Sequence, residues 1–134
     1  MIISRILLSA VLLLSAGAAA LAHHSFDAEY DRNKPITLNG TVAKVEFMNP
    51  HIWIYLNVKD DKGASTQWQI EGGAPNSLRR FGWTKDSVKE GEAITVEGSM
   101  SKDGSKTVNA RSVVLVSTGK RLFAGSSEGD TKAK

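Results

Sequence analysis

The chain has 134 residues, with 17 Lys and Arg against 14 Asp and Glu, and it contains no cysteine. This length is typical of a single domain, and the near balance of charge excludes the strongly basic surface of a nucleic-acid-binding protein. Without cysteine the chain forms no disulfide, thiolate metal site or thiol nucleophile, so its hydrophobic core has to stabilise the fold.

The first 22 residues have the pattern of a secretory signal peptide. A short segment with one positive charge precedes an apolar run at residues 6–14, and the small residues that follow end in Ala-Leu-Ala at residues 20–22. This pattern predicts cleavage after Ala22 and export to the periplasm of a Gram-negative host. The alternative is an uncleaved N-terminal anchor, but the apolar run is short for a membrane span. We therefore expect no stable membrane span after cleavage.

The chain after the signal peptide is predicted to have three parts. They are an N-terminal arm at residues 23–35, a β domain at residues 36–123 and a disordered tail at residues 124–134, which is rich in Ser, Gly and charge. Five strands are predicted in the β domain from alternating apolar residues and turn signals, at residues 36–48, 52–59, 66–71, 93–100 and 107–116. A short helix is predicted at residues 74–81, and residues 119–123 could add an edge strand.

This order of elements predicts an all-β fold, a small five-stranded OB-like Greek-key barrel with one short helix between strands 3 and 4. A small open sheet or a sandwich is the alternative. The aliphatic alternation of Ile52, Ile54 and Leu56 predicts that these side chains lie in the core. The alternation slips between Val42 and Val45, and this slip predicts a β-bulge or a sharp bend in the first strand.

Several short motifs occur along the chain in a fixed order: Ala22-His-His-Ser-Phe26, Gly40-Thr-Val42, Asn49-Pro-His51, Glu71-Gly-Gly-Ala-Pro75 and Gly82-Trp83. Together they resemble a family of small exported bacterial proteins, domain-of-unknown-function family 6152. The resemblance covers nearly all of the predicted mature chain, from His23 to about Ser126. It implies secretion and an all-β fold, and it implies no established activity, cofactor or catalytic residue.

The three histidines are the strongest candidates for chemistry. Cleavage after Ala22 gives His23 a free α-amine, and this amine and the His23 ring can chelate one metal ion. His51, in the predicted turn Asn49-Pro50-His51, would add a second imidazole and complete a T-shaped set of three nitrogens that suits Cu(II). In a second arrangement the amine, an amide nitrogen and the His24 ring form the chelate, and His51 caps it. Both arrangements require the arm to fold back onto the turn.

A structural role is the alternative for each histidine. His23 and His24 would then be a solvated chain end, and His51 would hydrogen-bond within its turn. No His-x-x-x-His or His-Glu-x-x-His spacing occurs to support a metal site. If a metal is bound, nitrogen ligands favour copper over zinc. Three residues near the histidines in sequence could add a weaker ligand: Asp27, Glu46 and Met48.

A second candidate is an aromatic binding face on the second strand. Trp53 and Tyr55 point away from the aliphatic side of that strand, and Trp83 follows the helix. OB-type barrels often bind extended ligands on this face by stacking. The expected partner is a small ligand or an envelope protein, and not nucleic acid. The alternative is that Trp53 packs under the arm, against Phe26 or Tyr30, and that Trp83 belongs to the core.

Catalysis is not expected from this sequence. It contains no nucleophile elbow, dinucleotide-binding glycine motif or P-loop. Asp60 and Asp61 form a carboxylate pair, but they lie in a predicted hairpin turn and look solvated. The sequence therefore predicts a binding protein.

In the third predicted strand, Trp68 and Ile70 are expected to point into the core and Glu71 is expected to point outward.

Overall fold

The computed structural model describes residues 26–125. Residues 26–29 are helical, and six strands and one further short helix follow: β1 (Tyr30–Glu46), β2 (Trp53–Lys59), β3 (Ser65–Glu71), α1 (Pro75–Arg80), β4 (Ala93–Ser101), β5 (Thr107–Leu115) and β6 (Arg121–Phe123). The predicted all-β class and the helix between the third and fourth strands are confirmed. The predicted signal peptide, His23, His24 and residues 126–134 of the predicted tail lie outside the described residues. Ala124, predicted to begin the tail, is instead 1% exposed and its N–H bonds to the carbonyl of Arg111 at 2.9 Å. Within residues 26–125 no helix has the length and apolar character needed to cross a membrane.

The strands form one sheet in the order β3-β2-β1-β4-β5-β6, and neighbours in this order are antiparallel. One further pairing joins β3 to β5 in parallel, with Ile70 opposite Val108 and Glu71 opposite Asn109. This pairing connects β1, β2, β3, β5 and β4 into a ring of five strands, and β6 extends the sheet from β5. The ring brings the C-terminal end of β3 next to the start of β5.

Strand β1 begins at Tyr30, six residues before its predicted start at residue 36. Tyr30 and Asp31 pair with Ser101 and Met100 at the far end of β4, and the register is irregular between Asp31 and Pro35. The sequence did not show this extension because the segment is polar and lacks alternation, and its pairing depends on a distant strand. The consequence is that half of the predicted arm belongs to the sheet.

The core side chains follow the predicted alternation. Ile52, Ile54 and Leu56 are all at most 1% exposed, as predicted. The predicted bulge in β1 is confirmed, because the register between β1 and β2 shifts between Val42 and Lys44. The remaining large, fully buried aliphatic residues come from β3, α1, β4 and β5: Ile70, Leu78, Ile94, Val96, Val108 and Val113.

The segment after β3 closes one side of this core. Pro75 occupies the first turn of α1, where its missing N–H is not needed. Leu78 packs inward from α1, and Trp83 follows and is 2% exposed. The Trp83 indole donates a hydrogen bond of 2.6 Å to the carbonyl oxygen of Phe123 in β6. Trp83 therefore ties the segment after the helix to the last strand.

Candidate functional site

The corner between β1 and β2 carries His51. Its Asn49-Pro50 peptide bond is cis, and Ile52, the next residue after His51, is fully buried. The Ile52 N–H donates to the carbonyl of Gly73 at 3.1 Å, and the Ile52 carbonyl accepts from the Gly72 N–H at 3.0 Å. These two bonds fix the corner against the segment that directly follows Glu71, the last residue of β3.

Gly72 and Gly73 at this contact have no room for a larger side chain. A Cβ on Gly72 would lie 2.6 Å from Cγ1 of Ile52, and a Cβ on Gly73 would lie 2.6 Å from the carbonyl oxygen of Gly125. Real Cβ atoms do not approach this closely, so a larger residue at position 72 would push the corner away from β3, and one at position 73 would displace the backbone at Gly125. The sequence Glu71-Gly72-Gly73 therefore positions His51 as well as ending the strand.

His51 and Glu71 form a close pair across this contact. Nδ1 of His51 lies 2.5 Å from Oε1 of Glu71. The His51 side chain is 37% exposed, whereas the Glu71 side chain is 10% exposed. The pair is therefore buried at the carboxylate and open to solvent at the imidazole.

Tyr30 occupies the other oxygen of Glu71. Its hydroxyl donates a hydrogen bond to Oε2, and the Tyr30 residue is 4% exposed. Burial, followed by this hydrogen bond to Glu71, raises the pKa of the Tyr30 phenol far above its usual range. Tyr30 is therefore a protonated hydrogen-bond donor at physiological pH. Both carboxylate oxygens of Glu71 are engaged, one by each neighbour.

The segment that precedes Tyr30 packs beside the Tyr30 ring. The Phe26 ring is buried, and its centroid lies 5.6 Å from that of the Tyr30 ring. The Arg32 guanidinium stacks 4.4 Å above the Phe26 ring, and the Glu29 carbonyl accepts from the Lys102 N–H at 2.8 Å. Residues 26–32 are therefore held around Tyr30, whose hydroxyl bonds to Glu71.

Residues 10–110 match the model of DUF6152, a family of unknown function. The chain belongs to DUF6152. The resemblance seen in the sequence is thereby confirmed, and Tyr30, His51 and Glu71 all lie within the matched range. No curated protein shows significant similarity to the chain.

The structure of this DUF6152 protein describes one of the three predicted metal ligands. His51 is at the surface, and His23 and His24 lie outside the described residues. Within residues 26–125 no three His, Cys, Asp or Glu side chains come together as a metal-binding group. The predicted copper site needs the N-terminal histidines and stays a prediction.

The predicted aromatic face is split between surface and core. Trp53 and Tyr55 are half-buried neighbours on the outer face of β2, whereas Trp83 lies in the core. The Tyr55 hydroxyl donates to Oε2 of Glu46 at 3.3 Å, and Nζ of Lys44 lies 5.5 Å from the centroid of the Tyr55 ring. A stacking surface on β2 of the DUF6152 protein would therefore consist of Trp53 and Tyr55.

Sequence reasoning missed Tyr30 and Glu71 as parts of the site. Tyr30 was assigned to the arm, and Glu71 was expected to point outward. Glu71 does lie on the face opposite Ile70, but it is 7% exposed because Tyr30 and His51 cover it. The available signal was the motif Glu71-Gly-Gly, in which a carboxylate directly precedes two residues without side chains.

Proposed function

We propose that this DUF6152 protein is exported to the periplasm and binds one Cu(II) ion through its processed N-terminus and His51. The leader pattern of residues 1–22 supports export. The ring of five strands, with a long bulged β1 and a parallel β3–β5 pairing, supports an OB-like Greek-key barrel as the scaffold. On this proposal the protein presents a metal at one corner of a rigid sheet.

One observation carries the proposal: the segment that follows the N-terminal histidines packs against the partner of His51. Tyr30 is six residues after His24 in the sequence, and its hydroxyl bonds to Glu71, which in turn pairs with His51. Phe26, two residues after His24, packs on the Tyr30 ring. The proposed amine is on His23, three residues before Phe26, and three residues of chain allow a reach of roughly 10 Å. Because Phe26 packs on Tyr30, this reach starts beside the residue that bonds to Glu71.

The chemistry of the donors favours copper. The His23 amine and ring would supply two nitrogens, and His51 would supply a third; in the second arrangement the His24 ring replaces that of His23. Sets of nitrogen ligands bind Cu(II) more tightly than other divalent first-row ions. Among the neighbours predicted as weaker ligands, Met48 is exposed.

The two neighbouring carboxylates already have cationic partners. Glu46 pairs with Lys44 at 2.5 Å, and Asp27 pairs with Arg32 at 2.9 Å. A metal ion at the corner would have to compete with these ion pairs for either carboxylate. Both oxygens of Glu71 are also engaged, so this buried carboxylate is not a free general acid or base. These contacts favour a binding role over a catalytic one.

The test of this proposal is the copper content of the exported protein. Untagged protein should be recovered from the periplasm of a Gram-negative host, loaded with Cu(II) and passed through a desalting column. We expect the intact mass of residues 23–134 and about one copper per chain. A matched protein with His23→Ala and His24→Ala keeps the described residues unchanged but removes both N-terminal rings of the chelate, and it should lose the copper. A mass that includes the leader, or equal copper in both proteins, would refute the proposal.

The second candidate is a ligand- or partner-binding module that uses Trp53 and Tyr55. These two side chains are half-buried neighbours on the outer face of β2, and Trp53 lies directly opposite Glu71 of β3. A small ligand or an envelope protein could stack there. Correctly processed protein that holds no copper would favour this candidate.

A further inference from the structure

We infer that Glu71 and Tyr30 are positioning residues that keep the neutral His51 ring protonated on Nδ1, so that Nε2 is the nitrogen that His51 offers to a ligand. The placement of the proton follows from contacts within the protein. The assignment of Nε2 as a metal ligand rests on the proposed function.

The proton placement follows from the two oxygens of Glu71. Oε2 accepts the hydroxyl proton of Tyr30, and Oε1 faces Nδ1 of His51 at 2.5 Å. One proton must lie between Oε1 and Nδ1, because two lone pairs would repel at this distance. A carboxylate oxygen accepts hydrogen bonds and does not donate them, so Nδ1 is the donor and carries this proton. A neutral ring with its proton on Nδ1 has its lone pair on Nε2.

The exposure of the pair shows which side of the ring is open. The Glu71 side chain is 10% exposed, and the His51 side chain is 37% exposed. Because Nδ1 is at the buried carboxylate, the solvent-accessible part of the ring includes the side that carries Nε2. Histidines that bind a metal through one ring nitrogen usually donate the N–H of the other to a carboxylate or a carbonyl. This hydrogen bond fixes the tautomer and the orientation of the ring.

The Tyr30 hydroxyl holds the Glu71 carboxylate in place, and this carboxylate orients the His51 ring. If the hydroxyl were absent, Oε2 would be buried without its donor, and the Glu71 carboxylate could rotate away from Nδ1 of His51. The raised pKa of Tyr30 is consistent with a hydroxyl that keeps its proton. Because Tyr30 begins β1 and packs against Phe26, the orientation of His51 depends on the docking of residues 26–30. Folding of this segment and presentation of Nε2 are thereby coupled.

The experiment is to read the His51 tautomer by long-range ¹H–¹⁵N correlation in metal-free exported protein, at a pH where the ring is neutral. In the wild-type protein we expect a pyrrole-type Nδ1 and a pyridine-type Nε2. Glu71→Ala, which removes the acceptor, and Tyr30→Phe should shift His51 toward a mixture of tautomers. Tyr55→Phe is the matched control, because its hydroxyl bonds to Glu46 instead, and it should leave the tautomer unchanged.

A protonated Nε2, or a mixture of tautomers, in the wild-type protein would overturn the inference. This measurement uses the wild-type protein alone, so it does not depend on whether the variants fold. An unchanged tautomer in a folded Glu71→Ala protein would also overturn it. Cu(II) titration of the same proteins separates the two proposals. Loss of Glu71 should weaken Cu(II) binding by about 10- to 100-fold, which is typical for the partner of a ligating histidine. The expected tautomer without any copper binding would uphold the positioning role and refute the proposed function.

Discussion

His51→Ala is expected to weaken Cu(II) binding to the exported protein by about 100-fold, equivalent to about 2.7 kcal/mol. The substitution removes one of three proposed nitrogen ligands and leaves the N-terminal chelate alone. It also leaves Oε1 of Glu71 without its partner, which should cost about 1–3 kcal/mol of folding stability. Isothermal titration with Cu(II), together with thermal unfolding of the same samples, measures both effects.

The control for His51→Ala is a polar residue on the neighbouring strand. Gln69 is exposed and lies two residues before Glu71 on the same face of β3. Gln69→Ala should leave Cu(II) affinity and stability nearly unchanged. If folded His51→Ala binds Cu(II) as tightly as the wild-type protein, the histidine corner is not part of the site.

Gly98→Ala is expected to destabilise the fold by about 3 kcal/mol, a large part of the roughly 5–15 kcal/mol that stabilises a typical domain. A Cβ on Gly98 would lie 2.1 Å from the carbonyl oxygen of Asn109 and 2.8 Å from Cγ1 of Val108. Both contacts are on β5, and the β4–β5 register shifts between Glu97 and Gly98. Relief of the clash therefore requires the two strands to separate. Urea unfolding measures the loss of stability.

Gly104→Ala provides the comparison in the same hairpin. Gly104 lies in the turn between β4 and β5, where an added Cβ would meet nothing within 4 Å. Its φ of +78° disfavours any other residue, so alanine should cost about 1–2 kcal/mol from backbone strain alone. Equal losses in the two variants would show that the close approach at Gly98 does not determine the stability of this hairpin.

Local patterns in the sequence were sufficient to predict most of the elements. The alternation of Ile52, Ile54 and Leu56 identifies β2 and its buried face, because a strand with one buried face needs that period. Pro75 marks the start of α1, and Gly82, with φ of +89°, lies just after its end. These features depend on neighbours in the chain, so they can be read without knowing the fold.

The centre of the site could not be predicted in the same way. Tyr30 and Glu71 are 41 residues apart, and His51 and Glu71 are 20 residues apart. Alternation gave the correct face for Glu71, opposite Ile70, but burial on that face depends on a strand extension and a corner that meet there only after folding. His51 was identified as a candidate because it is one of three histidines in the chain. Its carboxylate partner has no comparable local signal.

The most direct test of the copper proposal is a crystal structure of the Cu(II)-loaded, exported protein with anomalous data collected at the copper edge. We predict one strong anomalous peak bonded to the N-terminal amine and to Nε2 of His51, at roughly 2 Å from each nitrogen. The Nδ1 contact to Glu71 should be retained. A peak remote from His51, or no peak in protein whose N-terminus is His23, would contradict the proposal.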